Sequence, residues 1–120
     1  MVRRCVNHRV EMDAAEYVRR VLDTYRATPG TCGVARRPDR AFALALHARG
    51  VPLEAVENAL VLAASRRLTR PPDAPPLAVI RSLAYFGPVI EEVLANTAGP
   101  DYYRYLRLRL PHWLAAQRSR

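Results

Sequence analysis

Nineteen arginines and no lysine stand in a chain of 120 residues. They recur in small groups: Arg3/Arg4, Arg19/Arg20, Arg36/Arg37, Arg66/Arg67 and Arg104/Arg107/Arg109. A guanidinium is permanently charged, forks onto phosphate oxygens through two parallel hydrogen bonds, and stacks on flat rings. The chemistry open to such groups is recognition of polyanions. YYRYLRLRL at 102–110 interleaves them with aromatic side chains. That suits phosphate contact by Arg104, Arg107 and Arg109, with unpaired bases stacked on Tyr103, Tyr105 or the nearby Trp113. If folding brings Arg36, Arg37, Arg66, Arg67 and Arg70 to the same face, the eight arginines form one phosphate-binding strip. Solvated charges and half-buried tyrosines produce the same pattern, so the residues leave both readings open.

The charge is uneven along the chain. Residues 1–40 carry nine Arg against five acids, residues 41–100 five against five, and residues 101–120 five against one, which makes +4, 0 and +4 of the formal +8. A basic excess on the flanks of a neutral middle suits a nucleic-acid partner, DNA or RNA. It suits plain solubility equally well.

Other chemistries find little support. There is no G-x-S-x-G, P-loop, H-E-x-x-H or dinucleotide fingerprint. Glu91 and Glu92 are adjacent near a helix end, so they diverge and cannot face each other as an acid/base pair. Tyr85 fits a pocket wall and a core position equally. No catalytic residue and no cofactor are expected, and the chain reads as non-enzymatic. Cys5-Val6-Asn7-His8 has the look of half a metal site, but Cys32, His47 and His112 offer no second half at ligand spacing. No metal site is expected; the two cysteines read as free thiols in a reducing compartment.

The elements that must position these groups are helical. Asp13-Ala14-Ala15-Glu16 is a capped start, and Ala14, Tyr17, Val18, Val21, Leu22 and Tyr25 make one stripe at helical spacing. Pro29-Gly30 ends it. A second helix carries Phe42, Ala45 and Leu46 inward and stops at Gly50. A third begins at Pro52 and is apolar nearly all round from 59 to 64, which predicts a central position. The segment TRPPDAPP reads as a stiff, extended strap. A fourth helix follows, with Ile80, Leu83, Phe86, Ile90, Val93 and Leu94 facing in and a kink or break at Pro88. Pro100-Asp101 starts a last segment, helix rather than strand because nothing else offers a strand to pair with; Pro111 falls inside it. The expectation is an all-α bundle of about five helices over 13–28, 38–49, 52–68, 77–96 and 101–115. It forms one domain over 13–116, between a flexible basic arm at 1–12 and a disordered tail at 117–120. Without a run of about 18 apolar residues or a secretory leader, the chain reads as cytoplasmic, with no membrane partner.

Two pairings within this bundle bear on function. ALALHARGVPLEAVENAL has the spacing of a helix-turn-helix, but its reading helix would offer Glu54, Glu57 and Asn58 to the DNA, and carboxylates repel phosphate. A plain helical hairpin is favoured. On the last helix, Tyr102, Tyr103, Leu106, Leu110 and Trp113 form a broad apolar stripe. It either covers the bundle or docks on a second copy or another protein.

The order of AAEYVRRVLDTYRATPG, RPDRAFALALHARGVPLEAVENALVLAASRR, a proline strap and LAVIRSLAYFGPVIEEVL over residues 13–95 resembles the helical C-terminal domain of replication-initiator-like, DnaD-like proteins of plasmids and mobile elements. The resemblance implies DNA binding associated with replication or transposition, and it brings no catalytic residues. The winged helix that precedes this domain in such proteins has no counterpart in the chain. The opening MVRRCVNHRVEM reads as what remains when only the terminal part of a longer ancestor is translated.

Overall fold

The computed structural model describes residues 12–96 and 99–118. Helix α1, Ala14–Ala27, begins where Asp13 Oδ1 accepts the Glu16 N–H at 2.8 Å. Its buried face is the stripe Tyr17, Val18, Val21, Leu22 and Tyr25, as the 3.6-residue period requires. The Tyr17 hydroxyl donates to the Val51 carbonyl at 2.7 Å, and burial pushes its pKa up to about 12. Thr28 ends the helix, and Gly30 turns the chain with a φ of 93° that a side chain would resist.

Helix α2, Arg37–Ala48, has Pro38 in its first turn, where a missing N–H costs nothing. Ala43 and Leu46 are buried and Phe42 packs against the core, while Ala45 is exposed. Gly50, at φ 78°, closes the helix by donating to the His47 carbonyl, and Val51 donates to that of Leu46. Helix α3, Leu53–Leu68, buries Val56, Ala59, Leu60, Leu62, Ala63 and Ala64 and occupies the centre, packing against α1 and the later helices. Its alanines let those neighbours approach closely.

The fourth element departs from expectation. Instead of one kinked helix over 77–96, residues 77–82 are non-helical, a 3₁₀ turn spans Leu83–Phe86, and helix α4 spans Gly87–Ala95. The reason is where the Ile80 backbone groups go. Its N–H donates to the Gly30 carbonyl at 2.8 Å and its carbonyl accepts from Cys32 N–H at 2.8 Å. Ile80 is therefore clamped to the loop after α1 as an isolated parallel bridge with Thr31, and both groups are lost to any helix. Pro88 accordingly starts α4 rather than bending a longer helix. Ile80, Leu83, Phe86, Ile90 and Val93 still face in, but Leu77 and Leu94 are exposed. The strap is not extended throughout: the Ala74 N–H returns to the Pro71 carbonyl in a turn, and Arg70 holds the Pro75 carbonyl.

Helix α5, Pro100–Arg118, packs on α3 and runs through Pro111 without ending. An interior proline costs about 3 kcal/mol, but Tyr103 and Leu106 are buried before it and Trp113 packs on the core after it, which holds the axis across the gap. The helix passes the boundary expected at 116. The basic arm lies outside the described residues except for Met12, whose carbonyl accepts from His47 Nε2 at 2.8 Å. Among the described residues no helix is long and apolar enough to cross a membrane.

Candidate functional site

The eight arginines expected to meet phosphate have different fates. Arg66, Arg67 and Arg70 come together. With Ala63 they follow the spacing i, i+3, i+4, i+7, one face of α3 continued past its end. They line an open groove of about 330 Å³ with Leu77, Tyr85 and Val89. Arg67 and Arg70 also border a second cleft of about 480 Å³, walled by Pro29, Gly30, the prolines of the strap, Leu114 and Gln117. No carboxylate belongs to the walls of either.

Within the groove each guanidinium is held differently. Arg66 pairs with Glu92, Nη1 donating to Oε1 at 2.9 Å. Arg67 donates to the Ala78 carbonyl at 2.9 Å and to the Tyr85 hydroxyl at 3.3 Å, with its Cζ 5.8 Å from the ring centroid. Arg70 donates to the Pro75 carbonyl at 2.8 Å. A carbonyl takes one N–H without cancelling charge, so Arg67 and Arg70 keep donors and positive charge for an anion. Glu92 neutralises Arg66, whose hydrogen bonds hold the Glu92 carboxyl below the usual carboxylate range. Glu91 is likewise held below it by Arg49, 2.9 Å away. The two neighbouring carboxylates thus turn to different helices and form no acid/base pair.

The last helix contributes less to a strip than its composition promises. Arg104 pairs with Asp101 at 2.9 Å. Arg107 reaches α3, where it donates to Oδ1 of the buried Asn58 at 2.7 Å. Arg109 lies over the Trp113 ring at 5.8 Å and is half-buried. Arg36 and Arg37 sit exposed at the start of α2, where two cations oppose the helix dipole. The buried carboxylate of Asp39 offsets them, accepting the Arg36 N–H at 2.8 Å. Arg66, Arg67 and Arg70 share a groove; Arg107 and Arg109 are engaged within the bundle.

The aromatic residues divide in the same way. Tyr103 and Leu106 are buried in this chain's own core, and Leu110 and Trp113 are half-buried; Tyr102 is exposed. The Tyr103 ring is enclosed by the bundle's own core. Leu106 is enclosed in the same way. Asn58, placed by the helix-turn-helix spacing at a reading position, is bonded to Arg107 instead.

Leu77 and Val89 were missed as groove walls. Their only signal was the loss of helix at 77–82, which follows from the Ile80 clamp. Among the described residues no three metal-ligating side chains gather, while Cys5 and His8 lie outside those residues. Comparison with protein-family models, curated proteins and solved structures returns no match.

Proposed function

We propose that this protein is a non-enzymatic nucleic-acid-binding module that holds phosphates at Arg67 and Arg70. One observation carries the reading: Arg67 and Arg70 line one open groove and are bonded there to carbonyls and a hydroxyl, not to carboxylates. Phosphate oxygens meet positive charge there with donors to spare, and releasing condensed counterions drives the contact. A part in replication or transposition of a mobile element rests on the resemblance to DnaD-like domains.

The test is fluorescence anisotropy with a labelled oligonucleotide of mixed sequence across a salt series. Two phosphate contacts give a slope of about −1.5 in log K against log salt, or a loss of roughly eightfold between about 50 and 200 mM. Substituting Arg70→Ala lowers both affinity and slope, and leaves Arg67 bonded to the Ala78 carbonyl. No binding at low salt, or binding that salt does not weaken, overturns the reading.

A second reading has its own observation. The outward side of α5 exposes Leu108 at 72%, Tyr105 at 52% and Tyr102 at 46%. That side suits a protein partner or a second copy. Light scattering that returns a monomer at high concentration removes the self-association form.

A further inference from the structure

We propose that the groove takes an unpaired nucleobase stacked on Tyr85, so that the protein prefers single-stranded nucleic acid to duplex. The inference rests on the nucleic-acid reading and adds the form of the ligand. Tyr85 is 47% exposed although it stands between two buried residues of the bundle's interior, Leu83 and Phe86. Its orientation is fixed from behind. The Phe86 ring meets it edge-on at 5.2 Å and 78°, and Phe86 in turn meets Tyr25 at 6.1 Å and 81°. Phe86 and Tyr25 are both fully buried, which gives the exposed ring a rigid backing. Arg67 holds the hydroxyl and lies against the ring. A platform whose rotamer is already set loses little entropy when a base lies on it.

The surroundings match a base with its phosphate rather than phosphate alone. Leu77, Val89 and Ala63 supply apolar walls, and Arg67 and Arg70 supply the donors. A simple anion site has no use for Leu77, which is exposed at 45% beside the tyrosine. In a duplex the bases are stacked on one another and cannot enter a groove from the side; in a single strand they can be splayed out onto a ring. Among the aromatics of the last helix, Tyr103 is buried and Trp113 packs against the core, while the exposed Tyr102 and Tyr105 stand outside the arginine-lined groove.

The experiment uses the full chain and three probes: a labelled single strand of mixed sequence, its duplex, and inorganic polyphosphate. The expected result is tighter binding of the single strand than of the duplex. Tyr85→Ala loses roughly tenfold on the single strand and clearly less on polyphosphate, whose binding feels only the loosened Arg67, while Tyr85→Phe keeps the preference for the single strand. Should circular dichroism show that Tyr85→Ala is unfolded, Tyr85→Leu preserves the apolar bulk without the flat face and is expected to show the same selective loss. Equal binding of single strand and duplex with a neutral Tyr85→Ala overturns the stacking and leaves the nucleic-acid reading standing. A loss of polyphosphate binding equal to the loss on the single strand also overturns it. Binding of none of the three probes at low salt removes both.

Discussion

Asp39 and Leu83 lie 44 residues apart and are joined by one hydrogen bond, the Leu83 N–H donating to Asp39 Oδ1 at 2.8 Å. The other oxygen of the same carboxylate accepts the Arg36 N–H at 2.8 Å. Asp39 is 2% exposed, so one buried side chain caps α2 and fastens the 3₁₀ turn that carries Tyr85. Removing it orphans two backbone donors. Asp39→Ala is expected to destabilise the fold by about 2–4 kcal/mol, and Asp39→Asn, which keeps one acceptor, by less. Urea unfolding with an unchanged m-value measures both.

Gly30 and Arg67 are coupled by contact. A Cβ on Gly30 would meet Arg67 Nε at 3.0 Å, and the φ of 93° strains any side chain there. Gly30→Ala is expected to cost about 1–2 kcal/mol. Arg67→Ala costs a similar amount through its lost bonds to Ala78 and Tyr85. The double variant costs less than the sum, because removing the guanidinium relieves the steric part and leaves only the backbone strain. A double-mutant cycle reads the difference.

Arg104 and Arg107 are three residues apart and differ in what they support. Arg107→Ala strips the buried Asn58 of its donor and is expected to cost about 1–2 kcal/mol. Arg104→Ala loses only an exposed pair with Asp101 and stays within about 0.5 kcal/mol. Thermal melts of the two variants, side by side, check this. A charge reversal of Arg104, Arg107 and Arg109 together would therefore unfold as readily as it would release a ligand.

Acid weakens the fold through two surface pairs. Arg49 and Arg66 hold the Glu91 and Glu92 carboxyls below their ordinary range, first by hydrogen bonding. Each folded value lies below the unfolded one of about 4.3. The stabilisation is therefore complete above that pH and is lost as pH falls through the folded values. The double variant Glu91→Gln, Glu92→Gln is expected to melt below wild type at neutral pH and to converge with it as pH drops below about 4. Added salt narrows the same gap, since both pairs are exposed. Melting temperature across a pH series tests the convergence.

Much of the bundle was written in local pattern. The capped stripe from Tyr17 to Tyr25, the glycine stop at Gly50 and the apolar girth of residues 59–64 lead directly to α1, α2 and the central α3. Their signals are periodicity and turn chemistry, which neighbours within a few residues decide. The divergence of Glu91 and Glu92 was legible for the same reason, as was the adjacency of Arg66, Arg67 and Arg70 at the end of one helix and just beyond it. Tertiary structure alone decided the rest. Ile80 looks helical until the Gly30 carbonyl and the Cys32 N–H, some fifty residues earlier, claim its backbone. Arg107 looks free until Asn58 takes it. Tyr85 and Leu77 become walls of a groove only because the strap is clamped back toward α3. Backbone hydrogen bonds and charges are spent once, and a partner distant in sequence leaves no mark on the residues around the one it takes.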